Sequence, residues 1–86
     1  MSYETVKAHL NLYAVLQNLE ELVVYDDQMR EFVKDWNLSI QFSVLGGPKA
    51  YIEFKNGTCT VGRGVKHLTS IVLFFVSSAH LNKMFD

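Results

Sequence analysis

Cysteine occurs once in this chain, at position 59, so no internal disulfide can form and a reducing compartment suits it best. Basic residues stand singly rather than in runs and the net charge is −1, which removes the electrostatic footprint of a nucleic-acid binder. The longest apolar run, Ile71 to Val76, is far shorter than the roughly 20 residues that span a bilayer. The opening MSYETVK lacks the basic-then-apolar order of a secretion signal. These shortages lead us to expect a cytoplasmic chain. Proline occurs once and glycine not at all before residue 46, so little in the first half interrupts helix.

What the chain has in quantity is apolar surface: 49% of its residues are apolar and 13% aromatic. Eighty-six residues make one small domain, spanning 1–86. A chain of this size buries roughly 60–65% of the surface its unfolded form exposes, enough for a thin core.

Residues 3–24 read as one helix with Ser2 as its N-cap. Val6, Leu10, Tyr13, Leu16 or Ala14, Leu19, Leu22 and Val23 recur at three- and four-residue steps. Leu12 and Val15 widen that stripe, so contact on two sides is expected. Asp26-Asp27 breaks the pattern and caps a second helix over 27–36, with Met29, Phe32, Val33 and Trp36 on its apolar face.

The rest of the chain changes period from 3.6 to two. Strands are predicted at 38–45, 49–55, 58–63 and 69–77, followed by a helix at 78–86 capped by Ser77-Ser78. Gly46-Gly47-Pro48 makes the first turn, and Asn56-Gly57 is a strong hairpin signal because both residues tolerate positive φ. Gly62-Arg63-Gly64 lets the third strand bend or end. Alternation predicts that Ile40, Phe42, Val44, Ile52, Phe54 and Val61 look the same way, with Gln41, Ser43, Glu53 and Lys55 outward. The fourth strand does not alternate, which predicts a central strand buried on both faces.

No catalytic constellation accompanies this greasy face. His9, His67, His80 and Cys59 do not pair at metal-ligand spacings, so no metal is expected. Cys59 sits on the inward phase, where an apolar setting raises a thiol pKa and makes it inert. Glu20-Glu21 and Asp26-Asp27 fit solvated or capping acids better than an acid–base pair. The glycine pair around Arg63 is too short for a phosphate loop; Arg63 remains either a surface arginine or a lipid head-group contact. The strand aromatics lack flanking basic residues on their face, against a base-stacking platform.

The block Ser39-Ile40-Gln41-Phe42-Ser43-Val44, then Ala50 through Gly57, then Ile71-Val72-Leu73-Phe74 leading into Leu81-Asn82-Lys83-Met84-Phe85, resembles a sterol carrier protein type-two domain. The resemblance covers about residues 18–86, and residues 1–17 resemble the helical extension of small bacterial relatives. It rests on the order and spacing of the motifs rather than on any one of them. It implies an α+β fold: N-terminal helices, a mainly antiparallel four-stranded sheet (five in the complete family fold) and a short C-terminal helix. It also implies an apolar tunnel between sheet and helices that holds a fatty acid, acyl lipid or sterol. Ile40, Phe42, Ile52, Phe54, Leu73 and Phe75 would line the sheet side. Leu81, Met84 and Phe85 would line the helix side, with Leu12, Leu16 and Leu19 near them.

The family continues past the Met-Phe helix through a turn, a fifth strand and further helices, so the expectation is that either more chain or a partner supplies that closure. The functional expectation is therefore a non-enzymatic carrier with no cofactor and no nucleic-acid partner, making transient membrane contact. The alternative is a homo-oligomerisation module using the same apolar face, a dimer joined through Phe74 and Val76 or the last helix.

Overall fold

Helix and strand follow one another as the change of period demands. The computed structural model describes residues 2–85 and orders them as α1 (Tyr3–Tyr25), α2 (Asp27–Val33), β1 (Asn37–Val44), β2 (Lys49–Lys55), β3 (Thr58–Arg63), β4 (Ile71–Phe75) and α3 (Ser78–Lys83). Ser2 caps α1 by accepting the Thr5 amide at 3.1 Å. Asp26 ends α1 and caps α2 through the Met29 amide at 3.0 Å. Ser77 caps α3 through the His80 amide at 3.1 Å. Each cap satisfies one of the amide donors that a helix start leaves orphaned. Asn56 and Gly57 both take positive φ, 53° and 79°, which closes the β2–β3 hairpin with the twist its strands require.

The fold is α+β, with a four-stranded mixed sheet in the order β3-β2-β1-β4. β1–β2 and β2–β3 are antiparallel, while β1–β4 is parallel. Register sets the faces. Ile40 lies opposite Ile52 and Ile52 opposite Val61, so the expected apolar face exists, and the parallel pairs add Ile71, Leu73 and Phe75 to it. α1 lies across β3 and β2 on that face, and α3 packs against α1. Ala8, Leu12, Leu16 and Val23 of α1 meet Ile52, Phe54, Cys59 and Leu81 in the core.

Three differences from expectation have clear physical causes. The α1 stripe is rotated: Ala8 and Leu12 lie at its centre, while Val6, Leu10, Ala14 and Leu22 are exposed. The cause is α3, which packs on α1 where Glu4 and Asn11 bond Asn82, a long-range contact that an apolar count cannot foresee. α2 stops at Val33 rather than 36, and Phe32 lies 68% exposed with its ring 5.4 Å from Trp36. In a helix, Met29 and Val33 share a face that Phe32 leaves by 100°.

The largest difference is β4. It is an edge strand, not a central one, and it is exposed on both faces: Val72 by 59% and Phe74 by 61% on one, Leu73 by 42% on the other. Lack of alternation means that both faces are apolar; it does not say that both are covered. The strands and last helix are otherwise as expected within a few residues at their ends, β4 being 71–75 and α3 78–83.

Candidate functional site

The helix-bearing face divides into a filled half and an open half. Under α1, Ile52, Phe54 and Leu81 are buried, so three of the residues expected to line a tunnel pack against Leu12, Leu16 and their neighbours. Trp36 closes one end with its ring edge-on to Phe54 at 5.0 Å between centroids. Over β1 and β4 the same face is covered unevenly, and only Val44, near the end of β1, is fully buried. Ile40, Phe42 and Phe75 are half-buried, Ile71 and Leu73 are exposed, and Phe85, just beyond α3, is 39% exposed. Met84 is exposed beside it. The result is a partly exposed apolar strip along β1 and β4, beside the part of the face that α1 covers.

A buried polar knot holds α3 in place. Asn82 is buried; its amide donates to the Glu4 carboxylate at 2.6 Å and the Glu4 carbonyl at 3.0 Å. Its side-chain oxygen accepts from Asn11 at 2.9 Å. Every hydrogen-bonding atom of that amide that points into protein is thus used, which fixes α3 on α1 more sharply than Leu81 alone could. Sequence reasoning missed Asn11 and Asn82. Asn82 at the turn after Leu81 was the available signal, because a polar residue on an apolar helix face needs a partner.

The opposite face holds a residue whose face alternation gives and whose burial it does not. Gln41, read as outward, is only 3% exposed, and Ser39 is buried beside it. The segment 64–70 crosses this face to carry the chain from β3 at one edge to β4 at the other, and Gln41 pins it. Its amide donates to the carbonyls of Ala50 and Gly64 at 3.1 and 3.0 Å, and its oxygen accepts the Lys66 amide at 2.8 Å. Ser39 and Ser70 exchange bonds at the far end of the crossover. A parallel β1–β4 pair requires such a crossover, and its backbone groups need partners once they cover the sheet.

Arg63 stands elsewhere. It ends β3, with its guanidinium over the Tyr13 ring at 4.5 Å, and Tyr13 in turn donates to the Lys49 carbonyl at 3.1 Å. A cleft of about 360 Å³ lined by His9, Leu10, Tyr13, Ala14, Gln17 and Arg63 opens there. β3 and β4 are three strand spacings apart, roughly 14 Å, and α1 lies on the β3 side, so Arg63 and the open apolar strip belong to different flanks of the helix. A cleft of about 460 Å³ opens instead at Asn18, Glu21, Leu22 and Tyr25, and none of the apolar residues expected to line a tunnel from the sheet side lines either cleft.

Burial, helped by the Glu20 carboxylate, pushes the Cys59 thiol from its ordinary 9.0 up to about 11, on the covered side of the sheet. Among the described residues no three His, Cys, Asp or Glu side chains gather as a metal site, and no helix is long and apolar enough to cross a membrane. Comparison of the chain with protein-family models, with characterised proteins and with solved structures finds no match to any of them.

Proposed function

We propose that this chain is a non-catalytic binding module that takes an apolar guest, a fatty acid or acyl lipid, along the β1–β4 half of its helix-bearing face. The observation that carries the reading is the run of same-face apolar side chains there, with Ile40 and Phe42 half-buried and Ile71 and Leu73 exposed. Contiguous exposed apolar surface on a soluble domain marks a binding site more often than chance. Each methylene removed from water contributes about 0.8 kcal/mol, so an acyl chain laid on a strip of this length has adequate driving force.

The architecture also supports the proposal that the chain is a sterol-carrier-like domain. Its helices cover part of one face of a mixed sheet whose fourth strand lies at an edge. A sterol is the bulkier guest that the same surface would take. The single buried cysteine suits a cytoplasmic setting.

The test is titration of the purified chain with cis-parinaric acid, whose fluorescence rises on leaving water. Saturable binding at micromolar concentration is expected, weakened at least tenfold by Leu73→Glu, while circular dichroism stays unchanged. Absence of saturation, or equal binding by folded Leu73→Glu, overturns the reading.

A further inference from the structure

We infer that β4 is the pairing edge for a second copy of this chain, joined antiparallel about a two-fold axis at Leu73, so that the apolar strip of one copy continues into that of the other.

The two edges of the sheet are built differently. The β3 edge is occupied: α1 packs along it, and the Glu20 carboxylate accepts the Val61 amide at 3.1 Å. Among the described residues, β4 has no proline and no charged side chain, and no further strand pairs with its outer edge. From Leu68 to Ala79 there is no charged residue, so an antiparallel pairing of this segment with itself brings no like charges together.

Backbone alternation makes the edge usable. The Leu45 amide donates to the Phe75 carbonyl at 2.9 Å, which turns that carbonyl toward β1. By the two-residue period of a strand, the backbone groups of Val72 and Phe74 point the other way, to the free edge. An axis at Leu73 then sets Val72 of one copy against Phe74 of the other, in the spacing where both hydrogen bonds form. Side chains follow the same logic. Val72 and Phe74, both exposed on the crossover face, cover each other's counterparts, and Leu73 meets its own copy on the helix-bearing face.

The partner thereby extends the floor of the strip by its own Ile71, Leu73 and Phe75. This rests on the proposed function, because it is the apolar guest's site that the second copy extends. A lipid lying on the helix-bearing face leaves Val72, Phe74 and Val76 in water on the other face; a second copy covers them.

Sedimentation equilibrium of the purified chain, without lipid, tests the pairing. A dimer at micromolar concentration is expected. Phe74→Lys should shift it to monomer, as should Val72→Pro, which removes an edge-facing amide that β1 does not use; circular dichroism checks that each is folded. A second measurement reads the register directly: mild oxidation of Leu73→Cys should give a disulfide-linked dimer, and Lys55→Cys, remote from the axis, should not. A monomeric wild type, or a dimer that survives in both folded variants, overturns the inference. If cis-parinaric acid binds a monomeric wild type, the pairing fails and the proposed function stands. If a dimer cross-linked through Leu73→Cys binds no fatty acid, the pairing stands and the proposed function fails.

Discussion

The two edges of one sheet, β3 and β4, have met the same physical problem with opposite solutions. Each presents a row of backbone amides and carbonyls to whatever lies beside it. On β3, a helix lies over the strand, a carboxylate reaches down to the Val61 amide, and the outward side chains are Thr58 and Thr60. Its inward Cys59 is buried. Among the described residues β4 pairs on one side only, with β1, and its side chains are Ile, Val, Leu and two Phe. A blunted edge resists strand addition, whereas a bare apolar edge is a template for it. The asymmetry extends across the helix-bearing face, whose β3 side is filled by α1 and whose β4 side is open.

The comparison breaks most visibly in the core. Leu12→Ala, under α1, should cost about 3 kcal/mol because it leaves a cavity among buried neighbours. Leu73→Ala on β4 should cost less than about 1 kcal/mol, since solvent already reaches that side chain. Urea unfolding of both variants measures the gap, and equal costs would mean that the open half is not open in solution.

The crossover that carries the chain between the two edges gives the next effect. Gln41→Leu keeps the size and removes the partners of the Lys66 amide and of the Ala50 and Gly64 carbonyls, a loss of about 1–3 kcal/mol. Amide hydrogen exchange should quicken at Lys66 in that variant before it does in β2.

The smallest effect sharpens the protected edge. Cys59 holds its proton in the folded chain up to about pH 11 but only to its ordinary 9.0 once unfolded. Between those values the unfolded chain binds fewer protons, so stability falls as pH rises from 9 toward 11 and is fully present below 9. Thermal melts across that window should show the decline, reduced in Cys59→Ala. Glu20→Gln should ease the thiol back toward its ordinary value, because the carboxylate is the lesser cause of the shift and burial the greater.

Local chemistry made much of the architecture legible. Ser2, Asp26 and Ser77 announce their helices because short oxygen-bearing side chains satisfy orphan amides wherever a helix begins. Asn56-Gly57 announces its hairpin because few other pairs accept positive φ twice. The shared face of Ile40, Ile52 and Val61 follows from a period of two that no tertiary context alters. The candidate strip was legible only in part. Ile40, Phe42 and Leu73 fall on it, but nothing local says that Ile52, Phe54 and Leu81 would be consumed by the protein's own helix.

What lay beyond reach were facts about distant neighbours. Gln41 is polar in any context, and only the path of residues 64–70 makes it a buried clamp. Asn82 is a helix residue until α1 brings Asn11 and Glu4 beside it. Ile71 to Val76 is apolar on both sides by sequence alone, yet whether those sides meet protein or water depends on sheet order. Periodicity and capping, being properties of a few consecutive residues, determined the elements and their faces. Strand order, the crossover and the half of the face that α1 covers depend on long-range packing, and only the tertiary structure decided them.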